Sequence, residues 1–348
     1  MIVHTSTVDS RLRDWISENK PERIVMVVSK TSRELCLPKL EIHHNISMLI
    51  YEVPDGEAAK DIEICQDFWE LLLRENISRN SVIVALGGGA VLDFGGFCAS
   101  VYMRGIPFIY VPTTLLSMVD GSEGGKTGIN FYGNKNIIGT FRNPSKIIRN
   151  VDFIQTLPEI EVYSAWAEIT KHGILSGGNL WNRIESKIIP ALTDENSWMD
   201  IVVENITYKQ AIVQADFEEK GTRKLLNLGH TLGHTLEALY FEEPFITHGI
   251  CVANGLYWEA LLGVELGMTK PETLAKITDV LFPMYQKLHW DSTEVEQMLA
   301  YLRHDKKNSQ GNIQFTMVET IGNCHINCAV DEADITAFLY KHALDDQA

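Results

Sequence analysis

SVIVALGGGAVLDFGGF, residues 81–97, decides how the chain is read. Its first part, SVIVAL, is a β-branched run closed by glycine, the pattern of a strand buried on both faces. Three glycines end the run, and AVLDFGGF continues at helical spacing. A strand that turns through glycine into a helix can present backbone N–H groups to a phosphate. The fingerprint G-x-G-x-x-G is incomplete, because Leu92 stands where the third glycine belongs. A nucleotide loop and a plain structural turn are both open readings at this point.

Outward from this stretch, RIVMVVS (23–29) and IPFIYVP (106–112) are further strand-like runs, and DIEICQDFWELLLREN (61–76) has helical periodicity. Strand, helix and strand in this order predict a parallel sheet with helices on its faces, a Rossmann-like α/β domain over residues 1–157. After TLPE (156–159) the texture changes. AWAEITKHGIL, DIVVENITYKQAIVQADFEE, LGHTLGHTLEALYFEE and ICVANGLYWEALLGVELG are all helical in pattern, which predicts a mainly α-helical domain over 158–348.

The 348 residues are 45% hydrophobic and 22% charged, an ordinary globular balance. No stretch approaches the ~20 apolar residues of a membrane span. MIVHTSTVDSRLRDW lacks a basic start followed by an apolar run, so no secretory signal is expected. A formal charge of −16 argues against nucleic acid or an anionic membrane as partner. The six cysteines are scattered, and Cys324 and Cys328 flank His325 without a second pair at zinc spacing. A reduced, cytoplasmic protein is expected.

VDGSEGGKTGIN (119–130) ends like a phosphate-binding loop, but Asp120 stands where the first glycine of that motif belongs. A glycine-rich loop with one lysine still suits an anion. Arg104, Lys126, Lys135, Lys171, Lys209, Arg223 and the pair Lys306–Lys307 sit beside Gly, Asn, His or Asp in turn-like stretches. Each alone reads as a solvated surface charge; as a series they suit phosphate and carboxylate groups. NLGHTLGHTLEA (227–238) places His230 and His234 one helical turn apart on one face, and His248 follows in ITHGI. The zinc-protease pattern H-E-x-x-H is absent. Glu168, in the apolar stretch AWAEITKHG, is a candidate oxygen ligand, because an unpaired carboxylate there would be costly. The alternative for any one histidine is a hydrogen-bonded core residue.

Taken together, these stretches resemble the 3-dehydroquinate synthase family. The segments are DGEAAK (55–60), GGGAVLDFGGF (87–97), YMRG (102–105), VPTTLLSMVD (111–120), GGKTGIN (124–130), GNKNIIG (133–139), AEITKHG (167–173), RKLLNLGHTLGH (223–234), HG (248–249) and DKKN (305–308). The resemblance implies a sugar-phosphate cyclase of the shikimate pathway of aromatic amino acid biosynthesis, with bound NAD and a divalent metal, zinc or cobalt. Its substrate would be 3-deoxy-arabino-heptulosonate 7-phosphate and its products 3-dehydroquinate and phosphate. It also implies a homodimer. By the same resemblance Glu168, His230 and His248 are the metal ligands. Asp55, Glu57, Lys60, Gly89, Asp93, Thr113, Thr114 and the FIQT stretch with Phe153 and Thr156 contact NAD, with Lys126 and Lys135 beside them. Arg104, Asp120, Lys126, Lys135, Asn136, Lys171, Lys209, Arg223, Asn227, His234 and one of Lys306 or Lys307 face the substrate. In the family's reaction NAD⁺ takes a hydride from C5, phosphate leaves, the hydride returns, and an internal aldol closes the ring, with no net redox change.

Two positions depart from the family pattern. Ser29 and Thr31 stand where members usually have an acidic residue and an asparagine near the adenine ribose. Glu123 stands where a small or aliphatic residue is usual, three before Lys126. Pointing inward it would oppose an anionic substrate; pointing outward it would be a surface charge. Three other functions compete. A sister cyclase making an inosose or valiolone ring would tend to differ at Asn136, Asn227, His234 and the DKKN lysines. A metal-dependent polyol dehydrogenase would need no phosphate-binding lysines. A silent relative would bind cofactor without turnover.

Overall fold

The computed structural model describes residues 5–40, 47–241, 243, 245–304 and 312–344, so Lys306 and Lys307 lie outside the described residues. The strands are β1 (Ile24–Ser29), β2 (Met48–Val53), β3 (Val82–Gly87), β4 (Phe108–Pro112), β5 (Lys126–Phe131), β6 (Asn134–Phe141), β7 (Lys146–Ile147), β8 (Ile313–Thr320) and β9 (Asn323–Val330). The helices are α1 (Thr5–Asn19), α2 (Lys30–Leu35), α3 (Ile62–Arg74), α4 (Gly89–Val101), α5 (Glu159–Ser176), α6 (Gly178–Glu185), α7 (Glu195–Ala215), α8 (His230–Leu239), α9 (His248–Glu265), α10 (Pro271–Leu281), α11 (Val295–His304) and α12 (Glu332–His342). The chain divides into two compact units. One runs to Val162 and takes back Pro190–Gln210; the other comprises Tyr163–Ile189 and the chain from Ala211 onward.

The first unit is built on a parallel sheet in the order β2-β1-β3-β4-β7. Strands β1, β3 and β4 are buried along their whole length, which is why each reads as an unbroken apolar run. From β1 the order steps to β2 on one side and to β3 on the other, so the direction of winding reverses between β1 and β3. In open α/β sheets such a reversal leaves a crevice at the carboxyl ends of the strands. The register Ser29↔Val53 and Gly87↔Pro112 brings those ends level within each pair. Cys65, Phe68 and Leu72 of α3 and Phe94, Gly95 and Cys98 of α4 pack against the sheet. The antiparallel hairpin β5–β6 stands apart from it.

The second unit is helical, with one antiparallel hairpin, β8–β9. Its α5, α8 and α9 are brought together by glycine. A Cβ on Gly255 of α9 would lie 1.9 Å from the Gly229 carbonyl oxygen and 2.7 Å from the Gly233 nitrogen at the start of α8. A Cβ on Gly249 would lie 2.0 Å from the Ser164 carbonyl oxygen of α5. These contacts are backbone against backbone, so no rotamer change relieves them.

Strand β2 and both hairpins went unforeseen in the sequence reading. Strand β2, MLIYEV, is an edge strand with alternating exposure, so it lacks the continuous apolar run of its neighbours. The hairpins carry glycine turns, Tyr132–Gly133 and Ile321–Gly322, between β-branched stretches. Among the described residues no helix is long and apolar enough to cross a membrane, and all six cysteines are free thiols.

The glycine contacts make a prediction. Gly255→Ala should lower unfolding stability by on the order of 1–3 kcal/mol, because a packed backbone contact must open to admit one methyl group. An unchanged denaturant midpoint would show that α8 and α9 have slack.

Candidate active site

In the second unit Glu168 of α5, His230 at the start of α8 and His248 at the start of α9 converge. Glu168 Oε1 lies 3.1 Å from His230 Nε2 and 3.4 Å from His248 Nε2. The three donor atoms lie within 4.8 Å of one another. Both remaining ring nitrogens are committed: His230 Nδ1 is 3.0 Å from the Leu228 carbonyl oxygen and His248 Nδ1 is 3.1 Å from Glu237 Oε2. Each oxygen accepts an Nδ1–H and aims Nε2 at the shared point, the arrangement that metal-binding histidines use. Lys171, one turn from Glu168, puts Nζ 2.5 Å from its other oxygen. Burial pushes the Glu168 carboxyl up, but Lys171 and His230 outweigh it and hold the group well below the usual carboxylate range. Burial and Lys171 push His230 down, which keeps it neutral. Burial also opposes charge on His248, yet Glu168 and Glu237 hold it at about 10, so positive charge is favoured at this point. One carboxylate and two imidazoles fit a divalent metal of the zinc or cobalt kind.

His234 lies one turn beyond His230, with ring centroids 5.2 Å apart, and is exposed. Arg223 and Asn227 lie on the short turn before α8; Arg223 Nη1 donates to the Phe217 carbonyl at 2.5 Å and Asn227 Nδ2 to Glu219 Oε1 at 2.8 Å. Cys324, His325 and Cys328 do not form a donor group.

Glu259 escaped the sequence reading. It is buried on α9, and its carboxylate accepts the Gly229 N–H at 2.7 Å and the Leu232 N–H at 2.9 Å. Glycine at the N-cap of α8 offers no side chain, so a carboxylate from the neighbouring helix fills that role and complements the helix dipole. His230 is the first residue of α8, so Glu259 sets where its ring stands.

In the first unit, Gly88 caps α4 without a side chain, and a Cβ built on Gly89 meets nothing within 4 Å. That open approach to the first N–H groups of α4 suits a pyrophosphate. Around it stand Thr113, whose N–H donates to the Gly87 carbonyl at 3.0 Å, and Thr114, whose methyl a Cβ on Gly88 would meet at 3.2 Å. Thr113 and Thr156 both hydrogen-bond the Cys36 thiol, whereas the Phe153 side chain is fully buried. Asp55 accepts from Thr31 through N–H at 3.2 Å and Oγ1 at 3.0 Å. Burial pushes the Asp55 carboxyl up, but hydrogen bonds from Ser29 and Thr31 leave it below its ordinary value. Ser29 caps α2, so both departures from the family pattern have local work to do.

Lys60 gathers Glu57, Asp93 and Asn136. Its Nζ is 2.8 Å from Asp93 Oδ2 and 3.6 Å from Glu57 Oε2, and it donates to Asn136 Oδ1. Burial pushes Asp93 up to about 6, against the pull of Lys60. Lys126, Lys135 and Arg104 are exposed, the last with φ +62°. Asp120 and Lys209 pair at 2.6 Å, and Lys209 also donates to the Asp120 carbonyl at 2.8 Å. Glu123 is neither of the two things expected of it. It points inward and is neutralised by Arg149, a fully buried side chain that the sequence reading passed over.

Two measurements test the second unit. His230→Ala should lose bound metal, while His234→Ala should keep near-stoichiometric metal; a folded but metal-free His234→Ala protein would make both histidines ligands. Glu259→Ala should leave two buried N–H groups unpaired, costing roughly 1–3 kcal/mol of stability, and should release metal faster to a chelator. Wild-type release kinetics would remove Glu259 from the site.

Residues 50–164 match the model of the 3-dehydroquinate synthase N-terminal domain and residues 165–308 that of the C-terminal domain. The chain is 34% identical over 339 residues to a 3-dehydroquinate synthase of Parabacteroides distasonis, covering 96% of this chain and 95% of that protein. It is 38% identical over 325 residues to that of Pyrococcus furiosus, covering 93% of each. Its fold is similar to a 2-deoxy-scyllo-inosose synthase solved with carbaglucose-6-phosphate, NAD⁺ and Co²⁺, with a TM-score of 0.86 at 19% identity over 98% of this chain and 96% of that one. It is also similar to a 2-epi-5-epi-valiolone synthase of Streptomyces hygroscopicus with NAD⁺ and Zn²⁺ bound, with a TM-score of 0.85 at 23% identity over 98% and 95%. By both halves of its sequence, the chain belongs to the 3-dehydroquinate synthase family.

Proposed function

We propose that the chain converts 3-deoxy-arabino-heptulosonate 7-phosphate into 3-dehydroquinate and phosphate, using NAD as a recycled cofactor and one divalent metal. The observation that carries this reading is the Glu168–His230–His248 group with Lys171 held against it. Bound NAD would supply a reversible hydride acceptor, and a bound divalent ion a Lewis acid for substrate hydroxyls.

The remaining roles belong to side chains. Glu168, His230 and His248 would hold the ion. The backbone at Gly88–Gly89 and Thr113–Thr114 receives the dinucleotide, with Asp55, Glu57, Lys60, Asp93 and Thr156 around it. Arg104, Lys126, Lys135 and Lys209 in the first unit, and Lys171 and Arg223 in the second, offer cations that suit a phosphate or a carboxylate. Asp120 orients Lys209. Asn136, Asn227 and His234 hydrogen-bond the sugar, with His234 placed to donate to the leaving phosphate or pass a proton near neutral pH.

The six free thiols favour a reducing compartment, so we place the enzyme in the cytoplasm. Met48 and Ile50 are exposed on the edge strand β2, a surface that favours pairing with a second copy and supports a homodimer. The sister cyclases share the fold at under 25% identity, so they do not compete on sequence with the synthases at 34% and 38%.

Phosphate release from the heptulosonate phosphate should require NAD⁺, stop with chelator, and return with zinc or cobalt, with no NADH accumulating. NADH formed in proportion to product would replace this reading with a dehydrogenase. Faster turnover of a sugar phosphate lacking the carboxylate would replace it with a sister cyclase.

A further inference from the structure

The segment from Ser117 to Lys126 carries two residues of the proposed reaction, Asp120 and Lys126; its Met118 and Val119 are buried, and the Gly125 carbonyl accepts the Arg142 N–H at 2.7 Å. It opens with a π-helical turn, Ser117–Gly121, in which the Ser122 N–H donates to the Ser117 carbonyl at 3.0 Å. It then passes through Gly124 and Gly125, both with positive φ. Wide turns of this kind gather at functional sites, and glycine leaves the chain free to move.

Arg149 adds a side-chain restraint across the middle of the segment. Its Nε donates to the Met118 carbonyl at 3.0 Å, its Nη2 to Ser122 Oγ at 2.9 Å, and Nη2 also meets the Glu123 carboxylate. The three acceptors lie on both sides of Asp120. Glu123 Oε1 accepts from Gln210 Nε2 at 3.0 Å as well, next in sequence to the Lys209 that pairs with Asp120. The Arg149 side chain is 0% exposed and that of Glu123 8%. A buried ion pair is a poor source of stability, since apolar residues of similar size do as well or better; what it supplies is a fixed geometry. The planar fork of arginine can reach three acceptors in fixed directions, which lysine cannot.

We propose that Arg149 is a positioning residue for the cyclase reaction: with Glu123 it clamps residues 118–123 and thereby sets Asp120, its partner Lys209, and Lys126 beyond the glycines. The inference rests on the function proposed above. It also explains how an acidic residue at position 123 is compatible with an anionic substrate, because its charge is already taken.

Arg149→Lys and Glu123→Gln keep the size of each side chain while breaking the fork, and the double variant closes the cycle. Thermal melting and metal content establish that each variant is folded. Amide hydrogen exchange at residues 118–126 should quicken in each, with the central strands β1 and β3 unchanged. The catalytic effect should be a fall in kcat of roughly tenfold to a hundredfold, and the double variant should be no worse than the worse single one, since the pair acts as one unit. Unchanged exchange in Arg149→Lys overturns the clamp. Faster exchange with wild-type kcat and KM, or losses that multiply in the double variant, overturn its role in the reaction. A wild-type chain that releases no phosphate overturns the proposed function instead, while the exchange data still decide whether the clamp exists.

Discussion

A carboxylate out of water is the constraint on which the second unit depends. Glu168 is almost fully buried, and an ionised group there is tolerable only among partners. Its partners come from three places: Lys171 one turn along the same helix, His230 from α8, and His248 from α9. Bringing three helices to one carboxylate requires them to approach more closely than ordinary side chains allow. Gly249 admits α5, while Gly233 and Gly255 admit α8 against α9. The electrostatic requirement and the glycine pattern act together, since a methyl group at Gly249 or Gly255 would collide with backbone of the helix that it packs against.

The first unit presents both open backbone at Gly89 and the exposed cations Arg104, Lys126 and Lys135. Its sheet ends at Ser29, Val53, Gly87 and Pro112, and the candidate residues Asp55, Gly89, Thr113 and Thr114 follow directly. Three of its acidic side chains pair with a named cation: Asp93 with Lys60, Asp120 with Lys209 and Glu123 with Arg149. In a chain of net charge −16, such pairing lowers the unscreened negative charge around these three groups.

What the sequence made legible follows from the range of the interactions concerned. The runs 23–29, 81–87 and 106–112 could be read as strands because burial on both faces writes itself into consecutive residues. His230 and His234 could be read as sharing a face because one helical turn is a local distance. Strand β2 could not, since an edge strand is patterned by what lies on each side of it. Glu259 and Arg149 could not either: one acts 30 residues from Gly229, the other 26 from Glu123. Each looks locally like an ordinary charge within an apolar stretch, WEALL or KIIRNV. The choice posed for Glu123, inward and harmful or outward and idle, failed because it left out a distant partner.

The histidines themselves pose a last choice. His248 belongs to two groups of donors, one with Glu168 and His230, the other with His234 and Glu237. Its two nitrogens face different carboxylates, Nε2 toward Glu168 and Nδ1 toward Glu237. An ion in the second group would take Nδ1 and displace the proton that Glu237 accepts, leaving Glu168 with Lys171 and one imidazole in a buried place. An ion in the first group takes Nε2, satisfies Glu168, and keeps the Nδ1–H bond to Glu237 that orients the ring. Water already serves Glu237 and His234 better than Glu168, because Glu237 is only partly buried and His234 is exposed. The cost of desolvation therefore favours Glu168, His230 and His248 over the second group as the place for an ion.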